Sequence, residues 1–305
     1  MGSAPRPARD RAVGGGLSGT GTVGGGGLPS PGVTDPDGCP APALSPSRAA
    51  DFRTCPLLYR FRAVDRLPEA PSPAALRGTL VHAVLERVFD LPAADRVPVA
   101  ARDLLAPAWA AVRDAEPLAG EPADAPGWWA SVGALLDRWF TLEDPRALEP
   151  AGRELRITAE LPDPAGPVPL RGIVDRLDVD PAGRTVVVDY KTGSAPAGPG
   201  EARALFGVTF YALVLLLRDG RVPDELRLLH LGDGSVWTYR PGADELERFA
   251  RIPAAVWAAI RTAAPTGDFR PRPGRACDWC AHRPLCPAWG GTPPPYPGWP
   301  GGEGA

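Results

Sequence analysis

Two hydrophobic periodicities run along this chain, and the switch between them divides it. From Leu44 to about residue 142, apolar side chains recur three and four positions apart, the spacing of one helix face. Ser45 or Ser47 can cap a first helix carrying Phe52, Leu58, Tyr59 and Phe61, which Pro56 should bend or divide. Ser72-Pro73, a capping residue followed by proline in the first turn, opens a second. It runs to about Phe89, with Leu76, Leu80, Val84, Leu85 and Val88 on its buried face. Residues 98–114 and 128–142 read as further helices, the latter bearing Trp128, Trp129, Leu135, Leu136 and Trp139. The spacing then drops to two. Residues 154–161, 168–179 and 185–190 read as strands, separated by Pro-Ala-Gly turns. A helix over 201–218, strands over 225–231 and 235–240, and a helix over 243–263 follow, before a cysteine-rich tail. This order predicts an α/β fold with a mixed central sheet flanked by helices and a helical insertion ahead of it.

Composition sets the limits of that domain. Residues 1–43 are mostly Gly, Pro, Ser and Ala, and 289–305 are similar, so both ends are expected to be disordered arms around a domain over 44–288. Neither end carries an apolar run of signal-peptide or membrane-span character, and a cytoplasmic protein is expected. A net charge of -3 argues against a broad basic surface but leaves room for a local arginine-lined groove. The sequence contains no Walker-type phosphate loop and no dinucleotide-binding glycine fingerprint, so an ATPase motor is excluded.

Lysine changes the picture. The chain has 33 Lys plus Arg, and only Lys191 is lysine. Lysine is a compact donor whose pKa can shift, whereas arginine is a permanently charged fork. Lys191 ends the run Val186-Val187-Val188-Asp189-Tyr190-Lys191, in which Val187, Asp189 and Lys191 share a face. On the preceding strand Asp175 shares the face of Ile173 and Leu177, a costly place for an acid unless it is paired or metal-bound. If the strands form a meander, Asp175, Asp189 and Lys191 converge on an oxygen-ligand site suited to Mg²⁺ or Mn²⁺. The competing reading is a hairpin with two solvated aspartates and an ion-paired lysine.

These residues carry a resemblance. Gly172-Ile173-Val174-Asp175-Arg176-Leu177-Asp178 followed by Asp189-Tyr190-Lys191 resembles the core of the PD-(D/E)XK nucleases, specifically their RecB-type exonuclease branch. Gly78-Thr79-Leu80-Val81-His82 fits that branch's upstream histidine helix. The resemblance implies His82, Asp175 and Asp189 as metal ligands and Lys191 as the catalytic lysine, with Glu154 a further acid of lower weight. It departs from the branch at Gly207, which stands where a glutamine usually precedes the tyrosine, here Tyr211; that departure bears on substrate positioning.

The tail holds Cys277-Asp278-Trp279-Cys280 and Cys286-Pro287, three thiols that need a fourth ligand. Cys55 is one candidate, and His282 is another. Relatives of AddB type share one early and three late cysteines, which implies a 4Fe-4S cluster on Cys55, Cys277, Cys280 and Cys286 clamping the two ends of the domain. The alternative is Zn²⁺ on Cys277, Cys280, His282 and Cys286. Cys39 has no assigned role.

Together these expectations describe a metal-dependent DNA nuclease, an exonuclease on single-stranded DNA or DNA ends acting in repair or recombination. Arg53, Arg60, Arg62 and Arg66 would line the strand path, and Tyr59, Phe61 or Tyr211 would stack on bases. The rival from another class is a non-catalytic DNA-binding or scaffolding module with a decayed nuclease fold, partnering a separate helicase or repair protein.

Overall fold

A computed structural model describes residues 42–116, 120 and 125–300. Except for residues 42 and 43, the expected N-terminal arm lies outside them. Helix α1 (Pro46–Thr54) starts at Ser45, whose hydroxyl accepts the Arg48 backbone N–H. Pro56 divides the helix as expected: α2 (Pro56–Tyr59) follows after Cys55 alone and runs on into a wider turn over Arg60–Val64. Helix α3 (Pro73–Val88) is capped by Ser72, which accepts the Ala75 N–H at 3.2 Å. The expected helix over 98–114 is two pieces, α4 (Pro98–Asp103) and α5 (Leu105–Ala115), and α6 spans Ala125–Leu142.

The sheet has five strands in sequence order, β1 (Gly152–Leu161), β2 (Val168–Val179), β3 (Thr185–Lys191), β4 (Glu225–His230) and β5 (Ser235–Tyr239). Pairing is antiparallel except between β3 and β4, which run parallel because α7 (Pro199–Asp219) carries the chain across between them. Gly220 closes α7 in the left-handed conformation at φ +69°. Helix α8 (Ala243–Ala263) completes the order.

Alternation along β3 explains the layers. Val187 faces a core shared with α1, α7 and α8, built on Phe206, Phe210, Leu213 and Trp257. Val186, Val188 and Tyr190 face the opposite core with α3, α5 and α6. A central strand buried on both faces must be apolar on both, which is why this run reads as continuous valine rather than alternation. Helix α7 is, among the described residues, the one helix long and apolar enough to cross a membrane. Its apolar residues Val208, Phe210 and Ala212 to Leu215 instead fill the first core.

One charge lies inside the second layer. Arg176 is 1% exposed and donates to both Glu143 carboxylate oxygens at 2.7 and 2.8 Å, to Asp178, and to the Tyr190 hydroxyl at 2.7 Å. It joins α6 to β2 and β3, and burial is tolerated because its donors are met.

The expected disorder from residue 289 does not hold for 289–300. The Tyr296 hydroxyl donates to the Ala264 carbonyl at 2.6 Å, Trp299 packs against Trp257, and Arg60 donates to the Pro294 carbonyl at 2.6 Å. Aromatic residues in a Gly/Pro-rich stretch supply apolar area that composition alone hides.

Replacing Glu143 by Ala leaves two donors of the buried Arg176 unmet while Asp178 still balances its charge. We expect a loss of about 1–3 kcal/mol, read as a lowered urea unfolding midpoint.

Candidate active site

The site forms where β2 and β3 part. Their pairing ends at Arg176↔Val188, one position short of Asp175 and Asp189. Beyond it the Tyr190 N–H has no strand partner and donates to Asp175 Oδ2 at 2.7 Å. On β1 the register passes from Arg153↔Arg176 to Leu155↔Val174 and leaves Glu154 between them, beside Asp175. Glu154 has φ +42°, a left-handed backbone rare for a residue with a side chain, which re-aims its carboxylate as a bulge does.

His82 arrives from α3. Gly78, one turn earlier, faces the end of β3, where a methyl would make an ordinary contact 3.6 Å from Thr192 Oγ1. His82 Nε2 lies 3.1 Å from the Tyr190 carbonyl, so this nitrogen donates to it. That bond orients the ring and leaves Nδ1 toward the acids, 3.4 Å from Asp175 Oδ1 and 3.9 Å from Glu154 Oε1. Ligand atoms of His82, Glu154 and Asp175 lie within 4.8 Å of one another, the one such group among the described residues. Asp189 adjoins this group rather than joining it, with its Oδ2 2.6 Å from Lys191 Nζ. Of the expected ligands, His82 and Asp175 therefore cluster with Glu154, to which the motif gave the least weight.

Electrostatics follow from this crowding. Burial, then the Asp175 charge, pushes Glu154 up to about 7. Burial pushes Asp189 up to about 6, with Lys191 opposing and Asp175 adding. Burial works against a charged His82, but the Asp175 hydrogen bond and charge outweigh it and raise its pKa. Lys191 is likewise disfavoured by burial and raised overall by Asp189. Burial and mutual repulsion raise these carboxylates, and an imidazole with two or three carboxylates suits a hard divalent cation such as Mg²⁺ or Mn²⁺.

Tyr211 faces the same acids: burial, then the charges of Asp189, Asp175 and Glu154, raises its hydroxyl pKa. Gly172 puts it there. A methyl on Gly172 would lie 2.8 Å from two Tyr211 ring carbons, so the strand must be bare where the ring crosses it. Gly207 is different, because a methyl there meets nothing within 4 Å. His230, which no sequence motif singles out, pairs in register with Lys191 and is buried with neither ring nitrogen bonded. Strand assignment alone could have flagged it.

Of the arginines expected to line a path on the first helices, Arg60 and Arg62 are already engaged by acids. Arg60 is 6% exposed, paired with Asp65 at 3.1 Å and tied to the tail. Arg62 is exposed but gives two nitrogens to Glu69 and one to Asp51. Tyr59 and Phe61 are each 2% exposed and belong to the core. Helical periodicity tells which residues are charged, not which already have partners.

The four tail-associated thiols do meet. Cys55, Cys277, Cys280 and Cys286 line one cavity with Phe61 and His282, and none is in a disulfide. The Arg272 backbone N–H donates to Cys55 Sγ at 3.3 Å and the Gly274 N–H to Cys277 Sγ at 3.4 Å. Burial raises the Cys280 pKa, and neighbouring Cys277 and Cys55 add to it. Buried His282 turns its Nε2 toward Glu69 Oε2 at 3.4 Å.

The profile of the PD-(D/E)XK nuclease superfamily matches residues 43–287. The chain belongs to that superfamily. Its members are usually phosphodiester hydrolases that need a divalent metal, and the mixed sheet flanked by helices is consistent with their fold. No curated protein matches the chain. Among solved structures it is similar to one titled "Crystal structure of SSO0001", at 16% identity and a TM-score of 0.32, over 45% of this chain and 60% of that one.

Two outcomes test the site. A cation competes with protons for Glu154 and for His82, so Mn²⁺ affinity by calorimetry should fall from pH 8 to pH 6, by about tenfold from Glu154 alone and further from His82. Glu154→Gln should remove the Glu154 share and leave a shallower dependence. Gly207→Ala fills open space inside a helix and should stabilise by roughly 0.5–1 kcal/mol, seen as a raised thermal midpoint.

Proposed function

We propose that the protein is a Mg²⁺- or Mn²⁺-dependent deoxyribonuclease, an exonuclease on single-stranded DNA or DNA ends working in repair or recombination. The observation that carries this reading is the meeting of His82, Glu154 and Asp175 beside the Asp189–Lys191 pair. His82, Asp175 and Glu154 would hold the cation, with Asp189 at its side. A bound cation supplies charge neutralisation at the scissile phosphate and acidifies water.

The chain's own groups do the rest. Asp189 keeps Lys191 protonated and fixed at the rim, so its ammonium can donate to a phosphate oxygen or hold the attacking water in line. Asp175 accepts the Tyr190 N–H through Oδ2, leaving Oδ1 toward His82 and the cation position. The Tyr211 hydroxyl stays protonated and can donate to the strand next to the acids. The intact acid, imidazole and lysine set weighs against a decayed scaffold.

The cysteine cavity supports a 4Fe-4S cluster over zinc. A zinc tetrahedron with bonds near 2.3 Å would draw its sulfurs to about 3.8 Å. No three of these thiols and His282 come within 4.8 Å of one another among the described residues. Backbone N–H donors aimed at two sulfurs suit thiolates, and His282 turns toward Glu69.

Lys191→Ala should fold normally and lose activity on a labelled single-stranded oligonucleotide by about 10²-fold or more, and EDTA should stop the wild-type enzyme. Equal cleavage by the variant would end the assignment. Anaerobically purified protein should be brown and contain iron; Cys286→Ala should bleach it and lower its thermal midpoint.

A further inference from the structure

A groove leads away from Lys191 between α1, the first half of α7 and the loop over residues 272–276. Its charged lining is Lys191, Arg53, Arg203, Arg272 and Arg275, without a carboxylate. That is unusual in a chain whose net charge is -3. Several arginines elsewhere carry acids, as Arg62 does with Asp51 and Glu69 and Arg227 with Glu225. Here Arg203 and Arg275 are exposed and bond to nothing among the described residues. Arg53 is exposed too and lies over the Phe206 ring at 5.2 Å.

The wall opposite α7 is held by thiols. The Arg272 N–H donates to Cys55 Sγ, its guanidinium to the Arg53 carbonyl at 2.6 Å, and the Gly274 N–H to Cys277 Sγ. The short turn that carries Arg275 ends in Trp279, 77% exposed and the most exposed of the large apolar side chains. An indole left this far in water offers a face to an unstacked base. Gly207 also lines this groove, so its missing side chain leaves the passage open beside Lys191.

We propose that this groove is the path of the substrate strand: Arg53, Arg203, Arg272 and Arg275 contact successive backbone phosphates of a single-stranded nucleic acid, and Trp279 stacks on one of its bases. The inference rests on the nuclease reading for the identity of the polyanion. It places the strand across α7 and the cysteine-bearing loop, away from Arg60 and Arg62. Guanidinium groups without carboxylate partners in one groove favour a polyphosphate backbone, and an exposed aromatic favours unpaired bases over a duplex.

The test is fluorescence anisotropy of the full-length protein with a labelled single-stranded oligonucleotide in EDTA, where no cleavage occurs. Each phosphate contact contributes about 0.7 to the slope of log affinity against log salt. Arg203→Ala with Arg275→Ala should therefore lower that slope by about 1.4, while Mn²⁺ affinity at the acids is unchanged. Arg62→Ala, already saturated by carboxylates, should leave the slope as it is. Trp279→Ala should weaken binding about 5- to 150-fold, and an abasic strand should not register that change. An unchanged slope in the double variant overturns the groove. Equal binding of duplex, with Trp279→Ala neutral, overturns the single-strand assignment. Should binding behave as described while Mn²⁺ gives no cleavage, the groove stands and the nuclease reading falls.

Discussion

The peptide unit of Tyr190 is the node on which the site depends. Its N–H is taken by Asp175 and its carbonyl lies against His82, so two candidate ligands are oriented by one residue's backbone. That is possible only because β2 and β3 stop pairing at Arg176↔Val188. Were the ladder to continue, a strand partner would hold the Tyr190 N–H and Asp175 would have no reason to turn inward. Buried backbone polar groups must find partners, and here the parting of two strands converts that requirement into a metal pocket. The Tyr190 side chain points to the other face, where its hydroxyl accepts from Arg176. The buried Arg176–Glu143 pair thus braces, from the far side of the sheet, the residue whose backbone positions the acids.

Charge is arranged to make that pocket hungry for a cation. Three carboxylates and an imidazole crowd together with one ammonium, and burial of Asp189 and part-burial of the others weakens screening by water. Asp189 is drawn off toward Lys191, so its charge is partly spent holding the lysine, whereas Glu154 and Asp175 remain for an ion. Arginine in place of Lys191 would add a permanently charged planar fork where a single compact donor fits. Arginine is the default cation of this chain, and the single departure from that default falls beside the candidate metal site.

Much of the fold was legible because period and punctuation agree. Ser72-Pro73, Pro56 and the valine run of β3 each carry their own physical instruction, and the elements formed at or near the expected residues. The site was legible in part: alternation placed Asp189 and Lys191 on one face and the motif pointed to His82. Glu154 carried the least weight because only the resemblance pointed to it: it is the first residue of its expected strand, and no alternation placed it beside Asp175. Arg60 and Arg62 were misjudged for another reason. Whether a cation is free depends on acids distant in sequence, such as Glu69 for Arg62, and helical spacing is silent on that. The packed tail was missed because Tyr296 and Trp299 are isolated aromatics amid Gly and Pro, and their partners Ala264 and Trp257 lie in another element.

The cysteine cavity extends the same logic to chain topology. Cys55 sits at the break between α1 and α2, forced by Pro56, and its partners lie in short turns that bury no residue of their own. Burial does little to hold such turns, and ligation by the thiolates would fix them. Because Arg272 and Gly274 donate their backbone N–H groups to two of those sulfurs, whatever orders the thiols also orders one wall of the basic groove beside Lys191. A ligand that joined these thiols across the two ends of the domain would therefore also shape the passage leading to its lysine.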